Sequence, residues 1–280
     1  LIKKNNKNFK ISNINLDDKK VYSMLSEGQT IGVFQLESKG MQSALRGLKP
    51  DRFEDIIAVV ALYRPGPMEN IPNYINRKHG IEKIEYMHER LSDILSETYG
   101  IFIYQEQVMQ AAQVLANYSL ASADILRSAM GKKDKKEMAM QKEKFIDGAK
   151  KIDIKRSKAE EIFDQISAFA GYGFNKSHAA AYALIAYQCA WLKAHHPHEF
   201  FASLMTYDSD NVEKLSIFVN ELDKMKIKIH PPCINCSFDK FTVEELNDQK
   251  CIRYSLSSLK NVGNEAVKKM ISIRNELGNF

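Results

Sequence analysis

FAGYGFNKSHAAAYALIAYQCAWLKAHHP, residues 169–197, decides the fold. From Ala180 to His196 apolar residues recur three and four apart with no glycine or proline between them, the period of a long helix. Pro197 closes that helix, because its ring excludes the helical conformation from the residue before it. Upstream, Gly171 and Gly173 loosen the backbone just before Asn175, Lys176, Ser177 and His178. Ser177 is expected to cap the helix, its hydroxyl accepting from amides one turn in. Such an end leaves amide donors and the positive pole of the helix dipole facing outward, beside Lys176 and His178, a seat for phosphate. Taken alone, the same four residues read more simply as an exposed lysine and a packed histidine.

Working outward, the pattern stays helical from Leu16 to about Met225. FEDIIAVVALY (residues 53–63), QEQVMQAAQVLANY (105–118) and KAEEIFDQISAFA (158–170) carry the same period. The first of these stops at Tyr63, where RPGPM sets two prolines around a glycine and forces a stiff turn that carries Arg64. After KIKIHPPCIN (226–235) the texture changes to FDKFTVE and KCIRYSLSSL, short runs that read as a few strands, with a boundary near His230. SLSSLKNVGNEAVKKMISIRNE then reads as a tight turn around Val262 and Gly263 feeding a helix. The expected fold is therefore mainly α, a multi-helix domain followed by a small strand-containing segment and a turn–helix.

The chain has 280 residues, 44% hydrophobic and 27% charged, enough apolar side chain for one or two cored domains and too much for disorder. No apolar run approaches the roughly 20 residues that span a bilayer, and LIKKNNKNFK lacks the apolar stretch of a signal peptide, so a cytosolic location is expected. A start at Leu1 instead of Met, and an end at Phe280 inside a helical pattern, suggest a piece of something longer. The net charge of +5 is unevenly placed: residues 132–158 hold eleven Lys or Arg and five Asp or Glu. That surplus suits a polyphosphate backbone, and it equally suits a solvated helix face laced with ion pairs. The four cysteines are too few for a disulfide scaffold. Cys233 and Cys236 have C-x-x-C spacing that His230 and Cys251 would complete as a zinc site, but without a second close pair ordinary thiols are the simpler reading. His195, His196 and His198 likewise suit a helix end followed by Pro197 better than a metal.

ADILRSAMGKK places Arg127, Lys132 and Lys133 within two helical turns, with Gly131 allowing close approach. Such cations also commonly offset the dipole at a helix C-terminus. GVFQLESKGM, LYRPGPM, YGIFIYQEQVMQ, LRSAMGKK and FAGYGFNKSHAAAYALIAYQCAWLKAHHP, in that order and spacing, resemble the C-family replicative DNA polymerases of bacteria, the polymerase III alpha subunits, from Leu16 to the end. The resemblance implies the fingers region. Residues 1–15 would end the palm or link to it, 16–229 would form the fingers, 230–255 a connector, and 256–280 the start of a helix-hairpin-helix. It implies a part in DNA-directed DNA synthesis, with dNTPs and primer-template DNA as partners and the sliding clamp and other replisome subunits reached through the full-length protein.

Carried over position by position, Arg127, Lys132 and Lys133 approach the triphosphate, and Lys176, Ser177, His178, Tyr182 and Arg64 line the same face. LKNVG resembles the first half of a helix-hairpin-helix, so Lys260, Asn261 and Gly263 would meet duplex phosphates; a simple turn before a helix is the alternative. Three positions depart from the family pattern: Ser128 replaces an arginine, Cys233 an aspartate, and Asn261 a glycine, the last being a residue that tolerates left-handed backbone. Phosphodiester formation needs carboxylates that hold Mg²⁺. The family places these in the palm, upstream of Leu1, so the chain alone is expected to leave a primer unextended. Asp208-Ser209-Asp210 imitates a D-x-D pair but reads better as the cap of the VEKLSIFVNEL helix. The rival reading is a module that clamps duplex DNA or docks a replisome protein without touching a nucleotide; a scaffold is the third.

Overall fold

The structure is a computed structural model that describes residues 1–4, 6–132, 134–170 and 172–280, save the side chains of residues 135 and 170. Among the described residues there are thirteen α-helices and one small sheet. The helices are α1 (Lys19–Ser26), α2 (Lys39–Leu48), α3 (Phe53–Leu62), α4 (Ile71–Lys78), α5 (Ser92–Leu95), α6 (Gln105–Ala116) and α7 (Leu120–Lys132). They continue as α8 (Lys135–Lys150), α9 (Arg156–Ala170), α10 (Lys176–His195), α11 (Pro197–Tyr207), α12 (Val212–Lys224) and α13 (Asn264–Leu277). The strands are β1 (Ile229–His230), β2 (Thr242–Leu246) and β3 (Gln249–Arg253), in the order β1-β3-β2, with β1 parallel and β2 antiparallel to β3. The mainly α expectation holds, and no described helix is long and apolar enough to cross a membrane.

The chain divides into two compact units, residues 43–184 and residues 1–42 with 185–280. These limits do not follow the segments read from the sequence. The sheet shares a core with the preceding helices, Phe241 and Ile252 packing with Phe201, Met205, Phe218 and Leu222, so His230 marks a change of secondary structure inside one unit.

In the continuous unit, α6, α7, α8 and α9 pack around Val108, Leu115, Leu126, Phe145, Ile146, Ile162 and Phe163. Helix α6 stops at Ala116 because Asn117 turns left-handed (φ 54°), two residues short of the end expected at Tyr118. Helix α8 starts on the Asp134 carboxylate, which accepts from the amides of Lys136 and Glu137. It crosses α6 so closely that a Cβ on Gly148 would lie 2.0 Å from the Ala116 carbonyl oxygen. Several cations of the basic stretch are paired: Lys142 with Asp164, Arg156 with Glu143 and Glu160, and Lys158 with Glu161. Part of the stretch is thus the solvated, ion-paired face that its composition also allowed.

Helix α3 is apolar almost throughout, carries Glu54 and Asp55 in its first turn, and ends at Leu62 with Tyr63 as its cap, just before RPGP. Asp55 is fully buried and is satisfied by Lys78 (2.7 Å), Arg52 (3.3 Å) and the Tyr74 hydroxyl (3.4 Å). Arg52 reaches on to the Glu97 carbonyl (2.9 Å) and the Tyr99 hydroxyl (3.0 Å), which fixes the loop that carries Glu97. Gln107 fixes the next loop: its Oε1 accepts from the amides of Ile103 and Tyr104, and its Nε2 donates to Thr98 Oγ1.

In the other unit, the α10 face bearing Tyr187 and His195 meets α1. The Asp18 amide donates to the Tyr187 hydroxyl, that hydroxyl donates to the Asn15 carbonyl, and the Asp18 carboxylate lies 2.8 Å from His195 Nε2. Lys193 is 1% exposed; its ammonium donates to Glu221 (2.8 Å) and to the Ile31 carbonyl (3.0 Å). Burial without such partners would be prohibitive for a charge.

Candidate nucleotide and DNA site

The start of α10 is set by a contact far away in sequence. Phe174 donates its amide to the Ile103 carbonyl (3.0 Å) and accepts from the Gln105 amide (2.9 Å), a short parallel bridge that fastens the YGFN segment to the start of α6. Phe174 is thereby held extended and Asn175 becomes the first residue free to cap. Its Oδ1 accepts from the His178 amide (2.8 Å) and its carbonyl takes the first helical bond, from Ala179. The cap is therefore Asn175, and the expectation for Ser177 is corrected: Ser177 lies inside the first turn, exposed to solvent.

The amide of Lys176 donates to both carboxylate oxygens of Glu106, at 3.1 and 3.0 Å. An anion does sit at the helix N-terminus, as the dipole favours, and it is an internal one. The Lys176 ammonium meets a second carboxylate, Glu97 Oε2 at 2.7 Å, and lies 5.3 Å from the centre of the Tyr104 ring. Burial, followed by the nearby Glu97 charge, pushes the Tyr104 hydroxyl far above the usual phenol range. That hydroxyl and Glu97 Oε1 are buried with no hydrogen-bond partner among the described residues.

A second cation joins the same helix face. Arg64 stands on the RPGPM turn, its Nε donating to the Ala61 carbonyl (2.9 Å) and a terminal nitrogen to the Tyr172 carbonyl. Its guanidinium lies 4.5 Å over the Phe174 ring, and burial lowers its pKa. Phe174 then stacks toward His178 (5.5 Å between centroids) and His178 toward Tyr182 (4.3 Å). His178 and Tyr182 are four apart on one face of α10, and Phe174, just ahead of the helix, extends the ladder by one ring. The turn below it needs Gly66, which has φ 94° and whose absent Cβ would meet the Tyr172 ring at 2.5 Å.

The structure thus brings Arg64, His178 and Tyr182 together through Phe174, with Lys176 opening the same helix. Arg127 and Lys132 stand on α7. Arg127 gives its Nε to Asp124 (2.8 Å) within its own helix, and Lys132 is exposed at the helix end. Lys133 lies outside the described residues. Glu97, Tyr104, Glu106 and Phe174 take part without having been anticipated. Only the placing of Glu106 one residue inside a helix start hinted at a dipole-linked role.

At the other end of the chain, Lys260, Asn261 and Gly263 are all exposed. Asn261 is left-handed (φ 66°), the conformation that its family counterpart glycine would take without strain. Gly263 caps α13 with no side-chain hydrogen bond, and a Cβ there would meet nothing within 4 Å. This helix end presents its amides to open solvent.

Among the described residues no three His, Cys, Asp or Glu side chains are disposed to hold a metal. Asp208 ends α11 and pairs with Lys214 (2.8 Å), while Asn211 caps α12 by accepting from the Lys214 amide, which corrects the capping expected of the D-x-D stretch.

Residues 1–153 match the family described as the bacterial DNA polymerase III alpha subunit finger domain, and residues 226–280 match a helix-hairpin-helix motif. The DNA polymerase III subunit alpha of Campylobacter jejuni is 48% identical over 279 residues, covering 99% of this chain and 23% of that protein. The subunit alpha of Escherichia coli K12 is 51% identical over 277 residues, 96% of this chain and 24% of that protein, and that of Caulobacter vibrioides is 47% identical over 279 residues. The chain spans about a quarter of the length of these relatives. With more than half of its residues under the finger-domain match, this chain belongs to the bacterial DNA polymerase III alpha subunit finger-domain family.

Proposed function

We propose that this chain is the fingers part of a bacterial, DNA-directed DNA polymerase, holding the incoming dNTP and the primer-template while the full-length subunit carries out nucleotidyl transfer in chromosomal replication. The observation that carries this reading is the ladder of Arg64, Phe174, His178 and Tyr182, with Lys176 at its foot. Stacked rings flanked by cations suit a nucleotide, which offers a π face at one end and a polyphosphate at the other. The Lys176 ammonium would exchange Glu97 for a phosphate oxygen, while Glu106 keeps the helix end in place. Arg127, Lys132 and Lys133 add positive charge from the α7 end. Lys260, Asn261 and Gly263 would hold duplex phosphates by backbone amides and a lysine, independent of base sequence.

Mg²⁺, when bound, would neutralise the triphosphate and activate the primer 3′-oxygen. Its carboxylates would lie in the palm of the full-length subunit; among the described residues no three His, Cys, Asp or Glu side chains are disposed to hold a metal. The sliding clamp and other replisome subunits are partners of that larger protein, in the cytoplasm at the nucleoid.

The test is steady-state kinetics of the full-length subunit. Arg127→Ala and Lys176→Ala should each raise the KM for dNTP about tenfold, the cost of one charge-assisted hydrogen bond, while primer-template Kd stays within about twofold. Equal losses in both would favour the duplex clamp. The 280-residue chain by itself should leave a primer unextended; robust extension overturns the placement of the catalytic carboxylates.

A further inference from the structure

The C-x-x-C turn is used by none of these roles. The Cys233 carbonyl accepts from the amides of Cys236 (3.2 Å) and Ser237 (2.8 Å), and Ser237 Oγ accepts from the Cys233 amide (3.0 Å). A turn closed in this way keeps its end Cα atoms within about 7 Å, and an unstrained disulfide needs roughly 4.4–6.8 Å. Both cysteines therefore stand at the two ends of one tight turn, three positions apart.

The turn is held from three sides. Arg274 of α13 donates to the carbonyls of Ile234 and Ser237 (both 2.8 Å), Arg253 donates to the Pro231 carbonyl (2.8 Å), and Asn235 exchanges two hydrogen bonds with Phe280. Arg253 is 7% exposed, pairs with Glu244 at 2.6 Å, and keeps its Nε buried without a partner among the described residues. Its charge acts on both sulfurs. Cys236 is exposed and Cys233 half-buried, so small reagents reach the pair. A zinc site would need two more ligands. Cys251, one of the two further ligands considered from the sequence, is buried and directed at Glu244.

We propose that Cys233 and Cys236 form a thiol–disulfide site, in which the Cys233 sulfur reacts with hydrogen peroxide and Cys236 closes the disulfide. The Cys233 thiolate attacks a peroxide oxygen: an S–O bond forms, the O–O bond breaks, and the departing hydroxide leaves as water with the thiol proton. Cys236 then attacks the sulfenic sulfur. The S–S bond forms, the S–O bond breaks, and a second water leaves with the Cys236 proton. Two thiols are oxidised, one peroxide is reduced to two waters, and a dithiol reverses the change. Cys233 is the attacking sulfur: the Asn235 amide, then the Cys236 thiol, hold its pKa below the usual thiol value, whereas the hydrogen bond to Cys233 raises that of Cys236.

The test uses the reduced full-length subunit, hydrogen peroxide, alkylation and mass spectrometry of the tryptic peptide 229–240, which holds both cysteines. The expected product is that peptide lighter by two hydrogen atoms and restored by dithiothreitol. In Cys236→Ser the reaction should stop at a sulfenic acid on Cys233 that dimedone captures. Before oxidation, Cys233 should alkylate about tenfold faster than Cys236 at neutral pH. Two thiols that stay alkylatable under peroxide, oxidation that begins at Cys236, or zinc bound to the pair in the purified protein would each overturn the proposal.

Discussion

Asp18 serves three donors at once: the amides of Lys20 and Val21 at the start of α1, and the ring of His195. Burial works against its ionisation, but the Val21 amide, His195 and the Lys20 amide outweigh it, and its pKa falls below the ordinary 3.8. A carboxylate held lower in the folded state than in the unfolded one contributes stability that is complete above the unfolded pKa and is lost as pH falls through the folded one. Asp18→Asn keeps a cap but removes the charge, so its stability deficit in urea titrations should be full at about pH 6 and shrink from about pH 4 downward. A deficit that stays constant over that range would show that Asp18 acts as a cap alone. The exchange of Ser177 for Asn175 as the cap of α10 shows where single residues escape a sequence reading. Both are good acceptors, two positions apart, and the choice is made by the Phe174 bridge to Tyr104, seventy residues upstream. For the same reason the carboxylates on Lys176, Glu97 and Glu106, could not be read locally.

Helices are where the sequence speaks most directly. The three-and-four period of residues 53–63, 158–170 and 180–196 gives α3, α9 and α10, and RPGP stops α3 where steric exclusion demands. The parallel β1 was less visible, since two residues carry no period of their own and its pairing with β3 is made by the fold. What period cannot show is how near two helices come. Gly148 sits where α8 crosses the end of α6, and the obstacle to a larger residue is the Ala116 backbone, which cannot turn aside. Gly148→Ala should therefore destabilise by about 2 kcal/mol or more, despite the better helix propensity of alanine, as read from denaturant midpoints. A neutral or stabilising result would mean that α6 and α8 part easily.

At the scale of the molecule, one compact unit is continuous in sequence and the other is assembled from two stretches. Residues 43–184 own a complete core around α6 to α9, together with the Asp55 network and the Arg64–Tyr182 ladder. Expressed alone, that stretch should give a cooperative thermal transition and a helical circular dichroism spectrum; a broad, non-cooperative melt would show that it borrows stability from the remainder. The complementary unit has no such shortcut, because residues 1–42 and 185–280 must both be present to close its core.

Gly66 has a consequence for inheritance. Any amino-acid substitution there puts a side chain against the ring of Tyr172, the residue whose carbonyl anchors Arg64, and on a backbone with φ 94°. Under the nucleotide-binding role proposed above, selection for resistance to a nucleotide-mimicking inhibitor would then recover variants at a position whose own atoms never meet the drug.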